Sequence, residues 1–167
     1  MTTAIYPGSF DPITLGHLNI IRRASKIFDR VVVCVTVNSA KTPMFSLEER
    51  MELIERVVKR LPNVSVETSD VLLAEYVKQY EKPVLVKGLR AVSDFEYEFQ
   101  LALINSRLNR ELDTVFLPSD AKYTYISSSV VKEMARYGAD LSNFVPREIL
   151  EDVINRSNKQ EADSDGK

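Results

Sequence analysis

The sequence predicts one α/β domain, a doubly wound, Rossmann-like parallel sheet with helices on both faces. Short runs of apolar, β-branched residues alternate along the chain with longer segments whose apolar residues recur at helical spacing. That alternation is typical of a parallel sheet covered on both sides. The chain has 167 residues, of which 44% are hydrophobic and 28% charged, which suits one folded domain with one core.

Each predicted strand is a short run bounded by polar or turn residues, and the run from Val31 to Val37 is the most continuously apolar. Such runs indicate buried strands. In chain order, the predicted strands are Thr3–Pro7, Val31–Val37, Val64–Glu67, Pro83–Val86 and Thr114–Leu117.

The intervening helices are predicted from spacing and from their first residues. Leu18, Ile21 and Ala24 share one face of the first helix, with Thr14 as a plausible N-cap. Ser46 and Glu49 form a capping-box pattern that begins the second helix. The predicted helices are Gly16–Phe28, the segment after Ser46 that reaches Leu61, Leu72–Tyr80, Asp94–Leu108, Ser128–Tyr137 and Pro146–Asn155. The domain is expected to span 1–156, and the polar segment 157–167 is expected to be disordered.

Composition excludes several classes of partner and compartment. The net charge of −2 offers no basic surplus for nucleic acid or anionic membranes, and no apolar stretch approaches the length of a membrane helix. The one cysteine, Cys34, lies in a strand-like run and fits a reducing compartment. With no signal peptide visible at the N-terminus, we expect a cytoplasmic protein.

Unusual polar residues concentrate just after the predicted strands, where such sheets bind ligands. The segment from Tyr6 to His17 holds Gly8, Gly16 and the only histidine, which falls in the first helical turn. A helix N-terminus favours phosphate, and an imidazole there can donate to a phosphoryl oxygen. The ligand-facing segments are therefore expected to be Pro7–His17, Asn38–Phe45, Lys87–Asp94 and Pro118–Ser129.

Two motifs resemble the nucleotidyltransferase superfamily, the small relatives of class I aminoacyl-tRNA synthetases. Thr14-Leu15-Gly16-His17 matches its T/H-x-G-H motif, and the segment from Ile126 to Lys132 matches its I-S-S-T/S-x-x-R/K element. Two further blocks, K-x-P-M-F-S-L-E-E-R from Lys41 and G-L-R-A-V-S-D-F-E-Y-E from Gly88, narrow the match. Over about residues 4–150 the chain resembles the bacterial phosphopantetheine adenylyltransferase family.

The resemblance implies adenylyl transfer from ATP to 4′-phosphopantetheine with Mg²⁺, giving dephospho-coenzyme A and pyrophosphate, in a homohexamer. It implies that His17, Lys41 and Arg90 are catalytic, and that Ser9, Lys41, Leu73 and Lys87 bind the acceptor. The implied ATP-binding residues are Ser9, Phe10, His17, Gly88, Leu89, Arg90, Glu98, Tyr123, Thr124, Tyr125, Ile126, Ser127, Ser128 and Ser129. Mg²⁺ is expected to be held mostly by the ATP phosphates and water, so few protein ligands are expected and no residue is assigned as one. Asp11 is interpreted first as a turn residue before Pro12, with metal contact as the alternative.

Two observations qualify that interpretation. The family usually has arginine where this chain has Lys87, and lysine lacks the planar, two-pronged grip of a guanidinium on phosphate. Lys132 matches the family, but the sequence assigns it no contact.

Three other functions stay open at this point. They are a sister nucleotidyltransferase with another acceptor, a non-catalytic nucleotide-binding regulator, and a scaffold protein. The pattern shows no second histidine before His17, as nicotinamide-type relatives often have, and no large apolar surface that a scaffold would need.

Overall fold

The computed structural model describes residues 1–37 and 42–165 of the chain. Its five strands form one sheet in the order β3-β2-β1-β4-β5, and every neighbouring pair is parallel. The strands are β1 (Thr3–Gly8), β2 (Arg30–Thr36), β3 (Val64–Ser69), β4 (Pro83–Leu89) and β5 (Asp113–Pro118). The predicted parallel sheet is confirmed.

Helices cover both faces of this sheet, as predicted. Successive strand residues point to opposite sides, so Val31 and Val33 join one core cluster with α1, α2, α5 and α6, while Val32 and Cys34 join a second cluster with α3. The helices are α1 (Leu15–Ile27), α2 (Leu47–Val58), α3 (Leu73–Tyr76), α4 (Val92–Leu108), α5 (Ser128–Arg136) and α6 (Leu150–Asp165), with short 3₁₀ turns at Val77–Gln79, Ala121–Tyr123 and Arg147–Ile149.

The third helix is shorter than the sequence pattern predicts. Residues 72–80 divide into α3 and the 3₁₀ turn Val77–Gln79, after which Tyr80 is extended. The chain must enter β4 at Pro83, and a residue that precedes proline disfavours the helical region. Tightening into a 3₁₀ turn is a common way for a helix to end.

The C-terminal segment differs from the expected disordered tail. Helix α6 continues to Asp165, and Ser157 is buried with 2% of its surface exposed. The domain therefore packs residues beyond 156. Because a helix propagates at little cost once it is nucleated, the packed turns around Ser157 extend into the polar residues that follow. Residues 166 and 167 lie outside the described residues.

Helix α4 corrects a second expectation, because it exposes a broad apolar surface. None of its 17 residues is buried in the described structure. Leu103 is 57% exposed and Val92 is 77% exposed. A surface of this kind on a folded domain marks an interaction site. The exposed apolar side chains of α4, called the α4 face below, are Val92, Phe95, Tyr97, Phe99, Leu103, Ile104 and Leu108.

Among the described residues, no helix has the length and apolarity required to cross a bilayer.

Candidate active site

A cleft of about 560 Å³ lies where β1 and β4 separate. The two strands are neighbours in the sheet, but their pairing ends at Ile5 and Leu85, although β1 runs on to Gly8 and β4 to Leu89. Strand order also reverses at β1, which is where open α/β sheets bind ligands. The lining residues are Tyr6, Pro7, Ser9, Thr14, Gly16, His17, Ile20, Lys87, Gly88, Arg90, Ser93, Asp94, Tyr97, Glu98, Ser119, Ile126, Ser127, Ser128 and Ser129.

His17 is held in the cleft by the cap of α1. Thr14 is the N-cap, as predicted, and its Oγ1 accepts the His17 N–H at 3.3 Å. In return, His17 Nδ1 accepts the Thr14 backbone N–H at 3.1 Å, so the imidazole takes the place that Glu has in an ordinary capping box. Because Nδ1 is an acceptor, the proton of the neutral ring is on Nε2.

The electrostatic surroundings keep this imidazole neutral. Burial, assisted by the nearby Arg90 guanidinium, lowers the pKa of His17 from 6.5 to about 4. At neutral pH the side chain is therefore an uncharged donor through Nε2–H, and it cannot serve as a strong base.

Phe10 packs against His17 on the side that faces the core. Its ring is buried and meets the His17 ring edge-on, with centroids 5.0 Å apart. The backbone of Phe10 has φ 46°, in the left-handed region that few non-glycine residues adopt. Gly8 makes room for this arrangement, since a Cβ there would lie 3.0 Å from the Phe10 ring. Phe10 thus orients the histidine from the core side.

Arg90 is fixed at the far wall of the cleft by three contacts. Its Nε and Nη2 donate to the Asp94 carboxylate at 3.0 and 3.2 Å, and its Nη1 donates to the Ile126 carbonyl at 3.2 Å. The contacts with Asp94 join the residue after β4 to the start of α4. The contact with Ile126 joins it to the segment before α5. A guanidinium held in this way presents a fixed charge to an anion.

Lys87 and Glu98 form an ion pair inside the cleft. The Lys87 Nζ lies 3.0 Å from Glu98 Oε2, and both side chains are largely buried. An ammonium has three donor hydrogens, so Lys87 can contact a ligand phosphate while it keeps Glu98 as a partner.

The serine triplet begins α5, as predicted. Ser127 is the N-cap and its Oγ accepts the Val130 N–H at 3.1 Å. Ser128 Oγ donates to the Pro12 carbonyl at 2.8 Å, which ties the helix start to the turn after β1. The first turn of this helix has free N–H groups and lies beside the cationic side chains of Lys87 and Arg90 in the cleft. This arrangement is suited to phosphate.

The described cleft residues include most, but not all, of the residues predicted from the sequence. Ser9, His17, Lys87, Gly88, Arg90, Glu98 and Ile126 to Ser129 line it. Lys41 lies outside the described residues. Leu73 packs at the edge of the second core cluster, on the face of the sheet opposite α1 and α5. Leu89 and Tyr123, Thr124 and Tyr125 adjoin the cleft in sequence and are not among its described lining residues.

Several contacts around the cleft were not predicted from the sequence. Arg50 is 4% exposed and donates through Nη1 to the Ser9 carbonyl at 2.8 Å. In the sequence Arg50 was noted only as the last residue of the block from Lys41, whereas in the structure it fixes the backbone of the turn after β1. Arg90 pairs with Asp94 across the start of α4, because Arg90 precedes the N-cap Ala91 and Asp94 lies in the first turn. Nothing in the sequence indicated that Lys132 pairs with Asp11.

Known proteins match this chain over almost its whole length. Residues 5–134 match the family described as cytidylyltransferase-like. The phosphopantetheine adenylyltransferase of Clostridium tetani is 52% identical over 160 residues, which are 96% of this chain and 100% of the relative. The protein of the same name from Clostridium kluyveri is 53% identical over 159 residues, 95% of this chain and 97% of the relative.

Solved structures with the same fold are more distant in sequence. A Plasmodium falciparum nicotinic acid mononucleotide adenylyltransferase covers 95% of each chain with a TM-score of 0.64 and 14% identity. A Vibrio parahaemolyticus structure, assigned as a nicotinate-nucleotide adenylyltransferase, covers 93% of this chain and 95% of its own with a TM-score of 0.69 and 20% identity. At these identities the structures show the shared fold alone. On the near-full-length relatives, the chain belongs to the phosphopantetheine adenylyltransferase family, within the nucleotidyltransferases.

Proposed function

We propose that this enzyme transfers the adenylyl group of ATP to 4′-phosphopantetheine, giving dephospho-coenzyme A and pyrophosphate. The observation that carries the proposal is that relatives named phosphopantetheine adenylyltransferase are 52% and 53% identical to this chain over nearly its whole length. The cleft agrees in its chemistry, because it brings a neutral imidazole, two cations and a helix N-terminus to one place.

The proposed reaction is a direct in-line displacement. An oxygen of the acceptor phosphate attacks the α-phosphorus of ATP, and the bond from that phosphorus to the β-bridging oxygen breaks. The electron pair of that bond leaves with pyrophosphate. The nucleophile is already an oxyanion, so no side chain has to remove a proton, and catalysis rests on positioning and charge stabilisation.

In this proposal His17 stabilises the charge that develops on the α-phosphate. Its Nε2–H is the free donor of the ring, since Nδ1 is engaged by Thr14. A donor that is fixed and neutral needs no reorganisation as negative charge grows on the phosphoryl oxygen.

The cationic side chains divide between the two substrates in the proposal. Arg90, held by Asp94, and the N-terminus of α5 would hold the phosphates of ATP. Lys87, near the end of β4, would hold the phosphate of the acceptor together with Lys41. Phe10, Gly88, Leu89, Glu98 and the residues from Tyr123 to Ser129 would contact the nucleotide, and Leu73 would contact the pantetheine arm.

Mg²⁺ is proposed to accompany ATP. The two carboxylates among the described cleft residues, Asp94 and Glu98, already pair with Arg90 and Lys87, and no cluster of three potential ligand residues occurs in the described part of the chain. This donor set fits an ion whose ligands are mainly phosphate oxygens and water. When bound, the ion supplies neutralisation of the pyrophosphate charge.

Assembly and location complete the proposal. The α4 face, with Leu103 57% exposed, supports burial between copies of the chain, and we propose the homohexamer implied by the family. Cytoplasmic location is supported by the sequence's one cysteine, Cys34, which is a buried free thiol.

The test measures pyrophosphate release from ATP and Mg²⁺ with three acceptors separately: 4′-phosphopantetheine, nicotinate mononucleotide and glycerol 3-phosphate. We expect release with phosphopantetheine alone and a dephospho-coenzyme A product by mass spectrometry. Release with another acceptor would keep the fold and the chemistry but overturn the substrate. ATP binding without release with any acceptor would favour the regulatory alternative.

A further inference from the structure

Asp11 and Lys132 form an ion pair that the proposed chemistry does not use. The Lys132 Nζ lies 3.0 Å from Asp11 Oδ2, and the side chains are 23% and 7% exposed respectively. Neither residue is among the described residues that line the cleft. A carboxylate this deeply buried is costly unless it is paired and hydrogen-bonded, so the pair calls for an explanation beyond surface charge.

The Asp11 carboxylate gathers donors from two further segments of the chain. Its Oδ1 accepts the N–H of Phe45 at 2.9 Å, and Oδ1 and Oδ2 both accept the N–H of Met44, at 3.1 and 2.8 Å. Asp11 itself belongs to the turn after β1, and Lys132 lies on α5. One carboxylate therefore connects the turn after β1, the segment before α2, and the helix of the serine triplet.

Neighbouring contacts reinforce the same junction. Ser128 Oγ donates to the carbonyl of Pro12, the residue after Asp11, at 2.8 Å. The Met44 carbonyl accepts from Arg156 Nη1 at 2.7 Å, so the backbone of Met44 is held through its N–H by Asp11 and through its C=O by α6. The junction is anchored from several sides, and the ion pair is its buried centre.

The two sides of this junction carry different parts of the cleft. The turn after β1 leads to His17, and α5 begins with the serine triplet. In the proposed reaction they act on the α-phosphate and on the outer phosphates of one ATP molecule. A displacement of about 1 Å between such groups can lower turnover about a hundredfold.

We propose that Asp11 and Lys132 are positioning residues, which set the serine triplet of α5 in register with His17. This rests on the proposed adenylyl transfer. Lys132 acts through Asp11 and not as a phosphate ligand, and Asp11 is not a metal ligand, because its oxygens are taken by two backbone N–H groups and an ammonium.

The experiment compares Lys132→Met, Asp11→Asn and the double variant with the wild-type enzyme in the pyrophosphate assay. We expect kcat to fall about 10- to 100-fold in each single variant, with KM for ATP and for the acceptor within about threefold of wild type. The double variant should be no slower than the slower single variant, because both changes remove one interaction. Lys132→Arg, which keeps the cation, should restore kcat to within about threefold.

A matched control removes an ion pair elsewhere. Arg56 on α2 pairs with Asp152 on α6 at 2.6 Å, along a second groove. Arg56→Met is expected to leave kcat within about twofold of wild type. Circular dichroism at the assay temperature gives the folded fraction of every variant, so that kcat refers to folded enzyme.

Four results would overturn the positioning role. Unchanged kcat per folded Lys132→Met enzyme would make the pair a stability feature only. A large rise in KM for ATP at constant kcat would make Lys132 a phosphate ligand. An altered Mg²⁺ dependence in Asp11→Asn would make Asp11 a metal ligand. If Lys132→Arg does not restore kcat, the positive charge of residue 132 is not what positions α5. Failure of the proposed function is distinguishable, since wild-type enzyme would then release no pyrophosphate with phosphopantetheine.

Discussion

The ionisation of His17 can be tested by changing pH, because it is the only histidine in the chain. Burial and the nearby Arg90 lower its pKa from 6.5 to about 4. At 1.36 kcal/mol per pKa unit, protonating the ring costs about 3 kcal/mol more in the folded protein than in the unfolded chain. The folded state therefore loses stability as pH falls through the window from about 6.5 to about 4.

The loss expected at an accessible pH follows from the same two pKa values. Between pH 8 and pH 5 the unfolded chain takes up the histidine proton and the folded protein does not, which lowers the free energy of unfolding by about 2 kcal/mol. Below about pH 4 the folded protein also binds the proton and this contribution levels off. His17→Asn, whose amide oxygen can still accept the Thr14 N–H, should lack this pH-dependent loss.

Two measurements check the prediction. Nitrogen NMR of ¹⁵N-histidine-labelled protein gives a single titration, expected near pH 4, with Nε2 protonated and Nδ1 unprotonated at pH 7. Denaturant unfolding at fixed protein concentration gives the stability difference between wild type and His17→Asn at pH 8 and pH 5. A measured pKa of 6 or higher would refute the lowering of the pKa by burial, and an Nδ1–H tautomer would refute the role of Nε2–H as the donor.

Three further predictions concern the acceptor site, the turn after β1, and assembly. Lys87→Met would remove the proposed charge-assisted hydrogen bond to the acceptor phosphate, so KM for the acceptor should rise about 10- to 100-fold, whereas Lys87→Arg should lower it. Steady-state kinetics that show equal KM values in all three proteins would contradict this role. Arg50→Met removes the guanidinium donor from the carbonyls of Ser9 and Thr36, whereas the Ser46 carbonyl keeps the backbone N–H of residue 50. Chemical denaturation should show a loss of about 2 to 3 kcal/mol; unchanged stability would mean that water replaces the guanidinium. Leu103→Glu places a charge on the α4 face and should reduce the mass measured by analytical ultracentrifugation, while Lys26→Glu on the exposed side of α1 should not; an unchanged mass for Leu103→Glu would place the subunit interface elsewhere.

The sequence was sufficient where a local rule decides structure. The N-cap Thr14 and the capping box of Ser46 and Glu49 were predicted from residue types, and both are present. That His17 completes a capping box with Thr14 was not predicted. The strands were predicted because a parallel strand buried on both faces must be apolar along its length. The ligand side of the sheet was predicted because the carboxyl ends of parallel strands lie at one edge.

The sequence was insufficient where packing between distant segments decides. It gave Lys132 no partner, since Asp11 is 121 residues away. It predicted a disordered tail from polarity, whereas the packing of Ser157 carries α6 to Asp165. It also predicted no apolar surface, because the helical pattern of α4 cannot tell whether a helix packs against its own domain or against a partner.

The sequence by itself determined the fold class, the family and most of the side chains that line the cleft. Caps, apolar periodicity and short motifs act over a few residues, so they can be read along the chain. The tertiary structure decided what those groups do in place. The protonation of His17 follows from its burial and from Arg90, and the partners of Lys87, Asp11 and Arg50 come from other elements. Burial and long-range pairing exist only once the chain has folded, and these set the charge, tautomer and position of each side chain.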